Sequence, residues 1–292
     1  MSQSKLAYIF GNDNYINKHF PKLSGAVNDA KLMKETLDGC GFETYQFTNL
    51  KYNDLCKKIK EFKDKCNENK VCLFYYAGHG FEYQGNNYLC PIDAQLNNFI
   101  GTNVNISDLV NEVSKDRGFV CIVILDCCRT IVECGGRGLD GRSPITADFK
   151  NRGGTFVAYA TSSDSEAFED NGNGLYTKLL CGHIAKDNKP IEQIFKAVRK
   201  ELIDCSEKCR ESNNKQISWE YSSLVDEFYF KEEDAGLEMI SSVKDVVKKS
   251  YSFDMIKKYV DEYCFKNKLV DEKAVLRNFL KAIDNYVMEG DK

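Results

Sequence analysis

Apolar residues in this chain come either in short runs or at every third or fourth position. The runs at 6–10, 45–48, 71–77, 119–125 and 156–161 are rich in β-branched and aromatic residues. Runs of that kind fit strands covered on both faces of a parallel sheet. Between them, 26–37, 54–66 and 104–113 repeat apolar residues at helical spacing. Strand and helix therefore alternate, which predicts an α/β fold: a mostly parallel sheet, helices on both faces, right-handed crossovers.

The pattern continues beyond the fifth run. A glycine-containing, charge-scattered stretch at 130–154 reads as an exposed loop, and two helical segments follow at 175–185 and 191–202. A strand-like stretch at 216–230 carries the one tryptophan, Trp219. After it the composition turns to helix formers with apolar spacing, as in Met239, Val243, Val246 and Val247. The expected organisation is one α/β domain over 1–232 and a helical extension over 233–292 that regulates it or binds a partner.

Composition narrows the function classes. Of 292 residues, 42% are hydrophobic and 29% charged, an ordinary globular balance. The net charge of −4 and the lack of a long basic run disfavour nucleic acid and anionic lipid as partners. No stretch nears the roughly 18 apolar residues of a membrane span, and MSQSKLAYIF lacks an export-signal pattern, so a cytoplasmic place is expected. The 13 cysteines are odd in number and read as reduced thiols, with Cys72 and Cys121 as small core hydrophobes. Cys205 and Cys209 lack a second metal-spaced pair, so no metal site is expected.

In an open α/β sheet, functional groups gather at the carboxyl ends of the strands. The run 71–77 leads into Gly78-His79-Gly80, and the run 119–125 into Asp126-Cys127-Cys128-Arg129. A cysteine attacks carbonyls as the thiolate and needs an imidazole to take its proton. Of the three histidines, His19 lies in a polar segment and His183 in a helical pattern, whereas glycines flank His79 at a strand end. Gly80 has no side chain to block a substrate carbonyl, so its N–H could face an oxyanion together with the N–H of Cys128. A tight turn holding an incidental histidine is the competing explanation. Strand alternation allows one of Cys127 and Cys128 to face the cleft but does not say which.

FYYAGHGFEYQGNNYLCPIDA and VILDCCR resemble the histidine and cysteine segments of the caspase superfamily, particularly paracaspases and metacaspases. His79 precedes Cys128 by the roughly 50 residues expected in caspases. IFGNDNY, AYATSSDSEAFED and SWEYSSLVDEFYF resemble further family segments in the same order, over residues 5–230. The resemblance implies a caspase-type sandwich and a cysteine endopeptidase with His79 as general acid/base. It picks Cys128 as nucleophile, the third place of Asp-x-Cys. Caspases proper carry Gln-Ala-Cys-x-Gly, a pattern absent here.

By the same resemblance Asp126, Asp29 and Glu169 would form an acidic pocket for Arg, then Lys, before the scissile bond, with Asn28 the competing position for Asp29. Trp219 and Tyr221, with Ser223, would line the peptide groove, a core position for Trp219 being the alternative. Arg137, Arg142, Lys150 and Arg152 are candidate self-cleavage points in the exposed loop. The implied partners are a protein or peptide substrate and a homodimer or regulator docked through the C-terminal helices. No organic cofactor is implied; calcium activation and dimerisation are both known in such families. Two rival readings are a non-catalytic caspase-like scaffold and a redox protein using Cys127 and Cys128, which would leave His79 without a role.

Overall fold

The computed structural model describes residues 4–83, 86–95, 98, 100–113, 119–127, 130–131, 154–160, 169–170, 172–208 and 216–231. Gln3–Phe230 forms a compact unit. The expected extension at 233–292 lies outside the described residues.

The chain opens with β1 (Lys5–Gly11), α1 (Ala26–Asp38), β2 (Glu43–Thr48), α2 (Tyr52–Cys66) and β3 (Val71–Gly78). Three short strands follow, β4 (Gly80–Tyr83), β5 (Asn86–Leu89) and β6 (Val104–Asn105), then α3 (Ile106–Val113) and β7 (Val120–Cys127). Beyond lie β8 (Thr130–Ile131), β9 (Thr155–Tyr159), β10 (Glu169–Asp170) and β11 (Asn173–Gly174). The described part closes with α4 (Leu175–Lys186), α5 (Ile191–Lys208) and β12 (Trp219–Ser222). The six-stranded sheet runs β12-β9-β7-β3-β1-β2, parallel throughout except for antiparallel β12 at one edge.

Alternation along the inner strands divides the interior into two layers. Ala7 and Ile9, Leu73 and Tyr75, Ile122 and Ile124 face one side, where residues of α1, α4 and α5 complete the core. Tyr8 and Phe10, Phe74 and Tyr76, Val123, Leu125 and Cys127 face the other, against α2 and α3. This two-sided burial explains why the strands were visible as apolar runs. Cys72 and Cys121 are buried as expected, and the described cysteines carry free thiols.

The helical spacing at 104–113 misleads at its start. Val104 pairs with Leu89 and Asn105 with Tyr88, so these two residues form β6 and the helix begins at Ile106. Tertiary pairing here outweighs local period. The smaller sheet, β6-β5-β4-β8, leaves β3 through His79 and returns beside β7, because Phe81 pairs with Thr130.

Between β3 and β4 the backbone must turn without a side chain. Gly78 has φ +153°, and a Cβ there would stand 2.7 Å from the Tyr76 hydroxyl and 2.8 Å from that of Tyr15. Gly78→Ala should therefore lower stability by roughly 1–3 kcal/mol. Gly182→Ala, inside α4 where a Cβ would meet nothing within 4 Å, should raise it by up to about 1 kcal/mol. Urea denaturation midpoints of the two variants test this contrast.

Candidate active site

Parallel pairing places Ala77 opposite Asp126 and Gly78 opposite Cys127, so the two motifs meet at one sheet edge. His79 follows β3 at that edge. Its Nε2 lies 2.8 Å from the carbonyl oxygen of Pro21. A carbonyl only accepts, so Nε2 carries the hydrogen and the neutral ring keeps its lone pair on Nδ1. Burial holds the His79 pKa below its ordinary value, and the Pro21 hydrogen bond opposes that shift. A neutral imidazole able to accept a proton at Nδ1 results.

Pro21 is carried by the segment between β1 and α1, which is pinned to its surroundings. Asn12 N–H donates to Ala77 O at 2.9 Å, Ile16 N–H to Ile92 O at 2.8 Å and Leu23 N–H to Asp13 O at 3.1 Å. Tyr15 and Phe20 from this segment place their rings 4.5 and 6.0 Å from the His79 ring. The His79 N–H donates to the Tyr15 hydroxyl at 2.7 Å.

Gly80 is required by packing as well as by any access to substrate. A Cβ on it would lie 2.7 Å from Cys127 Sγ and 3.2 Å from Tyr88 O. The Cys127 thiol is thus turned into the α2/α3 layer beneath β4, with 6% exposure. Cys128, the next residue, lies outside the described residues.

On the opposite layer two carboxylates approach each other. Asp29, in the first turn of α1, accepts hydrogen bonds from Gly174 N–H and Asn173 Nδ2, both at 2.9 Å. Asp126 accepts from Thr177 Oγ1 at 2.5 Å, and Tyr75 OH stands 2.6 Å from the same Thr177 oxygen. Measured from a Cβ position on Gly174, Asp29 Oδ2 lies at 3.1 Å and Asp126 Oδ2 at 3.3 Å. Burial first, then the Asp29 charge, push the Asp126 pKa up to about 7, against the hydrogen bonds of Thr177 and Tyr75. Asn28 instead points outward and donates to Gly172 O at 2.9 Å, so Asp29 is the residue that reaches Asp126.

The remaining candidates are scattered. Glu169 belongs to β10, and its backbone pairs with Gly174 beside the two aspartates. Trp219 and Tyr221 occupy the edge strand β12, two strands away from β7, at 56% and 42% exposure, so Trp219 is no core residue. Ser223 ties β12 to β9, its N–H donating to Thr155 O at 2.8 Å. His183 bridges Asp187 and Glu201 at 3.0 and 2.9 Å, away from His79. Arg137, Arg142, Lys150 and Arg152 lie outside the described residues. Among the described residues no His, Cys, Asp and Glu cluster could hold a metal ion.

Pro21, Tyr15, Asn173 and Thr177 carried no signal as site residues in the sequence. Pro21 acts through its main chain, which any residue type would supply, and Thr177 is a small polar residue at a helix start.

Residues 4–229 match the peptidase C14 family, described as the caspase domain. The chain belongs to this family. It is 28% identical over 232 residues to mucosa-associated lymphoid tissue lymphoma translocation protein 1 of Homo sapiens, covering 77% of this chain and 26% of that protein. The Mus musculus homolog is 28% identical over 213 residues, 70% of this chain and 24% of its own. A Dictyostelium discoideum protein named paracaspase is 28% identical over 197 residues, 63% of this chain and 45% of its own. The chain thus spans between about a quarter and under half of the relatives' length.

The buried aspartate pair of this caspase domain makes stability depend on pH. The folded pKa of Asp126, about 7, exceeds the ordinary carboxylate value of about 3.9, so the folded state holds the extra proton between these values. Stability then falls as pH rises through that window. Asp126→Asn, which cannot ionise, should unfold a few degrees above wild type at pH 8, each kcal/mol being worth about 2–4 °C in a chain of this size. The gap should close by pH 5, as followed by thermal unfolding at a series of pH values.

Proposed function

We propose that this caspase-family chain is a cysteine endopeptidase that cleaves peptide bonds after a basic residue, Arg in preference to Lys. The observation that carries the reading is His79 at the end of β3. Its Nε2 is bound to Pro21 O and its Nδ1 is free to accept a proton, beside the strand whose last residue, Cys127, precedes Cys128. Family membership supports a cysteine nucleophile, and the alternation that buries the Cys127 thiol favours its neighbour.

In this reading the Cys128 thiol gives its proton to His79 Nδ1, and the thiolate sulfur bonds to the scissile carbonyl carbon. The C=O π pair moves to oxygen, which the N–H groups of Gly80 and Cys128 receive. The pair then returns, the C–N bond breaks, and the imidazolium protonates the departing amine. Water attacks the thioester with His79 taking its proton, and the acid leaves as Cys128 recovers its own. Asp126 and Asp29 receive the guanidinium of the residue before the scissile bond, with Glu169 as a third carboxylate. Substrates are extended segments of other proteins, and Trp219 and Tyr221 are assigned to peptide contact. Arg137, Arg142, Lys150 and Arg152 are assigned to self-cleavage, residues 233–292 to regulation or partner docking, and the chain to the cytoplasm. No described helix is long and apolar enough to cross a membrane.

A peptide chloromethyl ketone ending in Arg should label Cys128 and leave Cys127 free, as mapped by mass spectrometry. Cys128→Ala should lose cleavage by about a thousandfold or more, as His79→Ala should, while Cys127→Ala keeps most of it. Labelling of Cys127 alone would reverse the assignment; wild type that neither reacts nor cleaves would leave a non-catalytic scaffold.

Fluorogenic peptides varied at the residue before the scissile bond should be cut in the order Arg, Lys, then neutral residues, with Asp rejected. Because a cation binds the ionised pair, kcat/KM on the Arg peptide should rise with pH through about 7, the Asp126 value. Asp126→Asn should cost roughly ten- to a hundredfold on that peptide. It should also move the acid limb below the ordinary histidine value, where His79, depressed by burial, titrates. Equal cleavage of neutral and basic peptides would remove the acidic pocket from the account.

A further inference from the structure

We propose that Tyr15 and Tyr76 are positioning residues for this peptidase reaction, their phenols gripping the main chain of His79 and thereby aiming both its imidazole and the Gly80 N–H. The inference rests on the reading of Cys128 and His79 given above.

Both polar groups of the His79 backbone are held from within the protein. The N–H donates to Tyr15 OH at 2.7 Å, and the carbonyl accepts the Cys90 N–H at 3.0 Å with Tyr76 OH at 3.1 Å. The two hydroxyls are 3.4 Å apart, and Cys90 O lies 2.7 Å from Tyr76 OH and 3.3 Å from Tyr15 OH. Each phenol has one proton to give, so Tyr15, which receives from His79, passes its own to Cys90 O or to Tyr76. Tyr76 in turn donates to the carbonyl of Cys90 or of His79. Both tyrosines are buried, which keeps bulk water from these places.

The grip reaches one residue further. The peptide between His79 and Gly80 is trans, so its C=O and N–H point in opposite directions. The bond from Cys90 N–H to His79 O shows that Gly80 and Leu89 form a non-hydrogen-bonded pair of the β4–β5 ladder. With the carbonyl turned toward β5, the Gly80 N–H is turned away from it. That is the side on which β8, the strand that follows β7, pairs with β4. One pair of phenols therefore fixes the proton acceptor and an oxyanion donor together.

Tyr15→Phe and Tyr76→Phe keep the rings and remove the hydroxyls. Each should lower kcat roughly ten- to a hundredfold with KM nearly constant. Affinity for a peptide aldehyde, whose thiol adduct carries the oxyanion, should fall by a similar factor while affinity for the matching peptide alcohol holds. Amide exchange at His79, followed by NMR, should quicken roughly tenfold in Tyr15→Phe, the worth of one hydrogen bond. Tyr8→Phe, which removes a hydroxyl bound to Glu61, should change none of these. A parallel loss of alcohol affinity would make the hydroxyls merely structural, and unchanged kcat with faster exchange would deny them any part in the reaction. Unchanged exchange in Tyr15→Phe would overturn the grip whether or not the chain cleaves peptides. A wild type that fails to cleave would instead sink the peptidase reading, with exchange at His79 still deciding whether the phenols hold this backbone.

Discussion

Everything at the candidate site depends on the parallel pairing of β3 with β7, in a register that sets Gly78 against Cys127. Both strands are covered on two faces, so a slip by one residue would send every side chain of the shifted strand to the other helical layer. Were β7 to slip along β3, Ile124 and Val123 would trade layers while Tyr75 and Phe74 kept theirs. The core therefore holds the register, and the register brings the histidine and cysteine motifs to one edge.

The same alternation separates two kinds of chemistry. Asp126 points to the α1/α4 layer, where Asp29, Thr177 and Tyr75 gather, while Cys127 points to the layer of α2 and α3. Acid and thiol, adjacent in sequence, thus occupy different surroundings. Two buried carboxylates near one another destabilise the folded chain once both ionise. Such a cost fits the proposed reception of a cationic side chain, and it offsets part of what the apolar layers contribute.

Around His79 the contacts are mostly with main chain and phenols rather than with charged groups. Pro21 O orients the ring, Tyr15 supports its face and receives its backbone N–H, and Cys90 and Tyr76 hold its carbonyl. Burial within this shell lowers the His79 pKa and so favours the neutral imidazole. A base in that state can accept a proton without a third side chain from the triad pattern.

What the amino-acid sequence determined by itself was whatever leaves a local trace. Strands buried on both sides must be apolar at successive positions, and helices against a core must repeat their apolar residues, so β1, β3, β7, β9, α1, α2, α4 and α5 could all be read. The glycines around His79 and the Asp-x-Cys pattern were legible because they demand particular residue types. Tertiary structure alone decided the rest. Val104 has helical spacing yet pairs with β5, since a ladder partner is chosen by where Leu89 lies. That Asp29 rather than Asn28 meets Asp126 follows from how α1 packs beside β11. Pro21 and His79 are 58 residues apart, and their contact is made by a carbonyl that every residue possesses. Such contacts are fixed by the path of the backbone, and no choice of side chain announces them.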